Sequence, residues 1–384
     1  MINSYQQQYY NITKRIIEQP HKVGETRIGT ANSRFCEVLR INLTKEFPIM
    51  DIKWIKFSNV VHELLWMVRG ETNIKYLIEN DCHIWTDDAY RYYKEKYSHV
   101  TKRNTRVNGF TKQIPINFDD EITKEEFVEK VLNVEHLPSR NGLSYVFGDM
   151  DNIYGYQWRS FNGETDQLQN VIDTLKTNPD DRRMIIIGHN PDDLEREIVG
   201  LPACHNYMQF YTTTNKEGKR VLNTFCNIRS NDWFLGQPYN VVQYALLTHM
   251  IAQVVEMEVG ELVINAVDAH LYHEHFEPAK IWLERFEKIG SKTFVIDIGN
   301  KSEIEIEKQI AELVRKYKKR TEPINEDLFI PVRENENVNV LDGTYCKAKL
   351  TVNNEVRNID DFKFDDFKLT NYNPQPYIKA KLLT

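Results

Sequence analysis

Apolar residues recur at helical spacing in several stretches of the chain, and other short runs alternate between apolar and polar residues. The helical pattern is strongest at residues 57–69 and 240–256, where a broad apolar surface predicts buried helices. Further helices are predicted at residues 2–19, 73–80, 124–132, 166–177, 273–286 and 302–319. Strands are predicted at residues 34–43, 183–189, 207–211, 221–228 and 261–267.

Two long regions lack this patterning and are predicted to be insertions. From about residue 89 to 150, charged residues, tyrosines and asparagines dominate, and only the short helix at 124–132 stands out. The second region, at about residues 299–355, contains the charged stretch at 302–319. Both are expected to leave the core of the fold and return to it.

The amino-acid composition and the net charge restrict the kinds of protein that the chain can be. A hydrophobic content of 41% in 384 residues is enough for a substantial core, and the net charge of −7 argues against a general nucleic-acid-binding surface. No apolar run reaches bilayer length and no signal peptide is evident, so a soluble, cytoplasmic protein is predicted. The five scattered cysteines favour free thiols and argue against a metal site; they are Cys36, Cys82, Cys204, Cys226 and Cys346.

Cys204 stands beside His205 at the start of a predicted strand. A thiol becomes a nucleophile as the thiolate, and nearby donors or cations favour that form. A buried structural thiol is the alternative for such a residue. A second run supplies Arg229, Asp232 and Asn240 within a few residues of one another, which favours a reactive site.

The chain resembles the thymidylate synthase superfamily in separated runs that follow the family's order. These runs are residues 62–66, 154–159, 181–183, 204–205, 209–211, 229–240, 244–253 and 268–272. The resemblance implies an α/β (α+β) fold of three layers with a large curved mixed β-sheet, in one domain over residues 1–384. It also implies a homodimer joined through the sheet, a deoxypyrimidine monophosphate as substrate, and 5,10-methylenetetrahydrofolate as one-carbon donor.

By this resemblance Cys204 adds to carbon 6 of the pyrimidine, which lets carbon 5 attack the one-carbon unit. Glu63 matches a carboxylate that relays protons through water, and its apolar helix predicts a raised pKa. Tyr154 matches the tyrosine linked to loss of the carbon-5 proton. His205 supports the base-binding network, and Asp232 would hold the pterin ring.

Asn240 is predicted to select the base, because a carboxamide offers the donor and the acceptor that suit O4 and N3–H of uracil. Cytosine-directed relatives carry aspartate there, so dUMP is predicted rather than dCMP. The phosphate and sugar residues implied are Arg27, Arg229, Ser230, His270 and Tyr272, with Arg182 and Arg183 donated by the partner subunit. The folate residues implied are Ile84, Trp85, Asp88, Asp232, Leu235, Gly236 and Tyr239.

Several positions depart from the family pattern. They are Asp88 in place of a second tryptophan, Ile228 in place of glutamine, Ala203 in place of proline, and the ending at residues 381–384. An aspartate instead of an aromatic wall, together with an altered ending, favours quenching of the carbon-5 methylene by water. The leading hypothesis from sequence is therefore a dUMP hydroxymethylase similar to the bacteriophage enzymes, acting in the host cytoplasm.

Two alternatives stay open at this point. An ordinary thymidylate synthase would quench the methylene with hydride and release dTMP and dihydrofolate. A relative of another class would bind a nucleotide or RNA without catalysis, although the presence of Cys204, Glu63 and Asn240 argues against it.

Overall fold

The computed structural model describes most of the chain outside the second predicted insertion. The described residues are 5–26, 28–45, 47–95, 102–107, 110–115, 122–140, 143–291, 294–297, 329–332, 348–370, 372 and 374–381. The helix predicted at 302–319 lies outside them. No helix within the described part of the chain combines the length and the apolar character that crossing a membrane requires.

Helices form where apolar side chains recur on one face. They are α1 (Tyr5–Glu18), α2 (Phe57–Val68), α3 (Lys75–Glu79), α4 (Thr86–Tyr93), α5 (Lys124–Leu132), α6 (Tyr154–Arg159), α7 (Gln167–Thr177), α8 (Pro191–Glu195), α9 (Gly236–Val254) and α10 (Phe276–Ser291). α9 is buried on nearly all sides, as its broad apolar surface predicts.

The strands are β1 (Lys22–Thr26), β2 (Gly29–Asn42), β3 (Lys102–Val107), β4 (Phe110–Pro115), β5 (His136–Arg140), β6 (Leu143–Val146), β7 (Ile185–Ile187), β8 (His205–Thr214), β9 (Arg220–Ile228), β10 (Asn231–Asp232), β11 (Glu258–Tyr272), β12 (Phe294–Asp297), β13 (Phe329–Val332), β14 (Lys349–Val352) and β15 (Phe367–Thr370). Parallel and antiparallel pairs occur in one large sheet, which confirms the predicted α/β class.

The described residues divide into two compact units. The first contains Met1–Ile55, Phe210–Glu355 and Asp365–Leu383. In it, β11 pairs antiparallel with β2 and parallel with β9. The short strand β10 pairs in parallel with the C-terminal part of β11. α1 and α10 bury an aromatic cluster in which the Tyr9 ring stacks on Trp233 at 5.4 Å and meets Trp282 edge-on at 4.7 Å. This unit therefore contains most strands of the large sheet, β1, β2, β9, β10 and β11 among them, and a buried aromatic core of its own.

The second unit contains Lys56–Gln209 and Val356–Phe364. Its helices α2 and α6 pack closely because Gly155 carries no side chain: a Cβ there would lie 2.7 Å from the carbonyl oxygen of Glu71. The Asp166 side chain caps α7 by accepting from the amide of Gln169 at 2.9 Å. The close approach at Gly155 positions its neighbour Tyr154.

Some predicted boundaries were wrong. β2 begins at Gly29 rather than at residue 34, because it also pairs with β1, a strand that the sequence did not predict. The region from residue 89 onward is not without regular structure, since it holds the end of α4, the paired strands β3 and β4, and the pair β5 and β6. α10 begins at Phe276, after a 3₁₀ turn over His273–His275.

Candidate active site

Cys204 differs from the buried thiols in its accessibility. It is partly exposed, whereas Cys82 and Cys226 are buried. Burial raises the pKa of Cys82 to about 12 and raises that of Cys226 as well, so both stay protonated at neutral pH. The backbone amide of Cys204 donates to the hydroxyl oxygen of Tyr154 at 2.8 Å, which fixes the loop before β8. Cys204 is therefore more accessible to a substrate than either buried thiol.

Tyr154 is buried beside this loop, at the first residue of α6. Burial, and then the nearby Cys204, raise the pKa of its phenol well above the ordinary value. The phenol therefore keeps its proton at neutral pH and acts as a hydrogen-bonding group rather than as a phenolate base. The His205 ring lies 5.3 Å from the Tyr154 ring, between centroids.

Glu63 and Trp85 meet directly in the same unit. The indole Nε1 of Trp85 donates to Oε1 of Glu63 at 2.8 Å. The buried Trp85 ring also lies 5.5 Å from Trp66 and 5.9 Å from Tyr154, between centroids. The second unit thus brings together five residues predicted from sequence: Cys204, Tyr154, His205, Glu63 and Trp85.

Asp88 lies in the first turn of α4, three residues beyond Trp85. Its Oδ1 accepts from Nη2 of Arg91 at 2.8 Å, and both side chains are about one-fifth exposed, at 20% and 22%. Ile84, also predicted for the folate, is partly exposed next to Trp85. The carboxylate of Asp88 is therefore engaged by a neighbour on its own helix.

The start of α9 carries the second group of predicted residues. Oδ1 of Asp232 accepts from the amides of Phe234 and Leu235 at 2.9 and 3.0 Å. Oδ1 of Asn240 accepts from Nδ2 of the buried Asn231 at 3.2 Å. Because α9 begins at Gly236 and not at residue 240, Asn240 lies inside the helix.

Gly236 leaves the space between these side chains open. A Cβ there would lie 3.5 Å from Cβ of Asp232 and 3.6 Å from Oδ1 of Asn240. Leu235 and Tyr239, on either side of it in the chain, are partly exposed. The first unit thus brings together five of the residues predicted to face the base or the folate: Leu235, Gly236, Tyr239, Asp232 and Asn240.

A cavity of about 120 Å³ adjoins the end of β11. It is lined by Ser230, Asp268, His270 and Tyr272, and the rings of His270 and Tyr272 are 5.1 Å apart between centroids. The His270 ring, whose Nδ1 lies 3.7 Å from Oδ1 of Asp268, is the main cause that lowers the pKa of Asp268, so its carboxylate is charged at neutral pH. Three residues predicted from sequence, Ser230, His270 and Tyr272, therefore share one cavity.

The same cavity is lined by residues that the sequence analysis missed. Lys22, Glu25 and Thr26 come from β1, and Ala31 and Ser33 from β2. These residues could have been identified from their closeness in the chain to Arg27, which was predicted to bind the phosphate. Arg27 itself lies outside the described residues.

The remaining predicted arginines occupy other places. Arg229 follows β9 and is partly exposed. Arg182 and Arg183 precede β7 and are exposed, and the guanidinium of Arg183 binds the carboxylate of Asp181 at 2.7 and 3.0 Å. These two arginines lie in a different compact unit from the cavity at β11.

Lys53 is a buried cation that the sequence analysis did not single out. It is 1% exposed, and its Nζ donates to the carbonyl oxygen of Phe234 at 2.7 Å and lies 4.0 Å from the centroid of that ring. Burial lowers its pKa to about 7, against the opposing effect of the Asp232 charge. The signal was a lysine in a run, residues 49–55, that is apolar apart from Asp51.

This buried lysine makes stability depend on pH. Above pH 7 the unfolded chain holds a proton that the folded chain releases, so stability rises until the ordinary lysine pKa is reached. Between pH 7 and 8.5 we expect a gain on the order of 1–2 kcal/mol in the free energy of unfolding. Lys53→Met should lose this gain, as urea unfolding at both pH values would measure. An unchanged pH dependence in the variant would contradict the assignment.

The chain is similar in sequence to several known proteins. The family model described as thymidylate synthase matches residues 7–326. A thymidylate synthase of Mycoplasma mobile is 30% identical over 377 residues, which cover 98% of this chain and 99% of that protein. A thymidylate synthase of Listeria monocytogenes serotype 4b is 37% identical over 290 residues, 72% of this chain and 86% of that protein. One of Listeria innocua is 36% identical over 285 residues, again 72% and 86%.

Proposed function

Because the chain belongs to the thymidylate synthase family, we propose that it converts dUMP to dTMP by reductive methylation and releases dihydrofolate. The family uses methylenetetrahydrofolate, which supplies both the one-carbon unit and the hydride. The observation that carries the proposal is the accessible Cys204, whose backbone is held by the hydroxyl of the buried Tyr154.

Carbon 5 of uracil becomes nucleophilic once a thiolate has added to carbon 6. In the proposal Cys204 forms that bond, and the electron pair of the carbon 5–carbon 6 double bond moves to carbon 5 and O4. Carbon 5 would then bond to the one-carbon unit and lose its proton, and the bond between that unit and the folate nitrogen would break, leaving a methylene group on carbon 5 and tetrahydrofolate as the hydride donor. Hydride completes the methyl group, and the thiolate leaves as the double bond re-forms.

Glu63 is assigned to proton transfer at O4 and carbon 5. Its carboxylate is oriented by the indole of Trp85, whose Nε1 donates to Oε1 at 2.8 Å. Tyr154 keeps its phenolic proton and would orient water beside carbon 5. His205, packed against Tyr154, supports the same network.

Binding of dUMP is assigned to residues of the first unit. Ser230, His270 and Tyr272 line the 120 Å³ cavity and would hold the phosphate and the sugar hydroxyl. Arg229 and Arg27 are assigned to the phosphate, because guanidinium groups bind oxyanions with two hydrogen bonds. Lys22 of the same cavity would add a positive charge.

The residues at the start of α9 fit a folate. A pterin presents N–H donors and a flat ring, and these suit a carboxylate such as Asp232 whose orientation is fixed by two backbone amides. The gap at Gly236 and the side chains of Leu235 and Tyr239 offer space and apolar contact. Trp85 and Ile84 are assigned to the folate as well.

Two observations weigh against capture of the methylene group by water, the reaction of a hydroxymethylase. Asp88 is paired with Arg91, so its carboxylate is not free to position water. A full-length relative named thymidylate synthase spans 98% of this chain, so the length of the chain does not indicate a specialised enzyme. The altered ending at residues 381–384 remains, and a product assay decides the matter.

The proposal includes a homodimer. Phe35 and Val38 on β2 and Tyr211 on β8 are large apolar side chains exposed by 71%, 43% and 63%. A second copy of the chain that covers them would remove this surface from water. The exposed Arg182 and Arg183 are assigned to the phosphate site of that partner.

Incubation with dUMP and methylenetetrahydrofolate tests the proposed reaction. We expect dTMP and dihydrofolate in equal amounts, measured by mass spectrometry and by absorbance. A product heavier than dTMP by about 16 mass units, one oxygen, without dihydrofolate would show the hydroxymethylase instead. No product of either kind would favour the non-catalytic alternative.

A further inference from the structure

The C-terminal segment at residues 374–381 is held by hydrogen bonds to the first unit. The amide of Gln375 donates to the carbonyl oxygen of Asp51 at 2.6 Å. Nη1 of Arg285 donates to the carbonyl oxygen of Pro376 at 2.5 Å, and the side chain of Ile378 is buried. The segment therefore follows a defined path across its own unit.

The path ends at His275. This histidine lies in the 3₁₀ turn between β11 and α10 and is fully buried. Its Nε2 is 2.8 Å from the carbonyl oxygen of Lys381. A carbonyl only accepts, so Nε2 carries the hydrogen and donates it. One side chain thus binds the last described residue of the chain.

The ring of His275 also contacts the rings of Tyr272 and Phe234. Its ring lies 5.8 Å from the ring of Tyr272 and 5.8 Å from that of Phe234, between centroids. Tyr272 lines the cavity assigned to the sugar, and the amide of Phe234 orients the carboxylate of Asp232. A shift of the imidazole would therefore displace the C-terminal segment and the residues of both binding regions.

We infer that His275 is a positioning residue, which ties the C-terminal segment to the sugar-binding and folate-binding residues of the same unit. This inference rests on the proposed function for its kinetic part. The hydrogen bond to Lys381 is the link to the tail, and the ring contacts to Tyr272 and Phe234 are the link to the site.

The inference is tested with two substitutions at the same position. His275→Phe keeps a flat ring of similar size and removes the donor. His275→Gln places an amide N–H near the position of Nε2 and can restore it. Loss of one buried hydrogen bond should raise the equilibrium constant for local opening of the C-terminal segment by roughly tenfold.

The rate of trypsin cleavage after Lys379 measures how often the C-terminal segment opens, and this measurement does not require catalytic activity. We expect His275→Phe to be cleaved there about tenfold faster than the parent, because cleavage requires local opening. We expect KM for methylenetetrahydrofolate to rise by a similar factor and the Kd for dUMP to rise as well, while kcat changes by less than about threefold. His275→Gln should approach the parent in the cleavage rate and in both binding constants.

His273→Phe is the matched control. It lies in the same turn and is exposed, and its Nε2 contacts Oδ1 of Asn32 at 2.9 Å instead of the tail. It should leave cleavage and KM unchanged. Equal cleavage of His275→Phe and the parent would overturn the inference, as would a glutamine variant that behaves like the phenylalanine variant. If the parent makes no dTMP, the proposed function fails, and the cleavage comparison still decides whether His275 anchors the tail.

Discussion

Replacement of Cys204 by alanine is expected to lower kcat for dTMP formation by a factor on the order of 10³ or more, because no other group adds to carbon 6. Cys82 and Cys226 are buried and protonated at neutral pH, so neither replaces it. The Kd for dUMP should change by less than about threefold, since the phosphate, sugar and base contacts are assigned to other residues. Initial rates of dihydrofolate formation and calorimetric titration with dUMP measure the two quantities.

Cys36→Ser is the control for this substitution. Cys36 is the other accessible thiol of the described residues, and its Sγ contacts Oδ1 of Asn265 at 3.2 Å, a hydrogen bond that serine can also make. It should keep the parent rate. A Cys204→Ala protein that turned over at the rate of Cys36→Ser would remove the covalent mechanism altogether.

Replacement of Asn240 by aspartate is expected to exchange the preferred base. Aspartate offers only acceptors at neutral pH, which suits the amino group of cytosine and repels O4 of uracil. We expect kcat/KM for dUMP to fall by at least about 10²-fold and measurable turnover of dCMP to appear. Aspartate can still accept the hydrogen bond that Asn231 donates at 3.2 Å, so α9 should be undisturbed.

Asn227→Asp provides the same chemical change at a different place. Oδ1 of Asn227 accepts from Nδ2 of Asn265 at 2.7 Å, much as Oδ1 of Asn240 accepts from Asn231. It should leave base preference unaltered. If Asn240→Asp kept the dUMP preference of the parent, Asn240 would have no part in base selection.

Local signals account for the elements that the sequence predicted well. α5 has the predicted bounds because Thr123 and Glu126 form a reciprocal capping box, and Phe127 and Val131 supply its buried side. Strands were predicted too short where pairing continued past the apolar pattern. β11 runs to Tyr272 because its polar end pairs with β2 over residues such as His270 and Ser33, a long-range contact that leaves no local trace.

The residues of the candidate site likewise fall into those that the sequence predicted and those that it did not. Cys204, Glu63 and Asn240 were predicted from sequence because the runs that contain them resemble motifs of the thymidylate synthase superfamily. Lys53 was missed, since the burial that shifts its pKa comes from chain segments distant in sequence, among them Phe234. The residues of β1 that line the cavity were missed for a similar reason. A short polar strand such as β1 cannot be recognised from its sequence until the strand with which it pairs is known.

The hydrogen bond from Trp85 to Glu63 has an optical consequence. An indole whose N–H donates to a carboxylate feels a strong local field, and that field falls when the carboxyl group takes up a proton. The fluorescence of Trp85 should therefore follow the charge on the group assigned to proton transfer. The protein carries a native fluorophore at that carboxylate, and rapid mixing could time the proton movement before any nucleotide product is released.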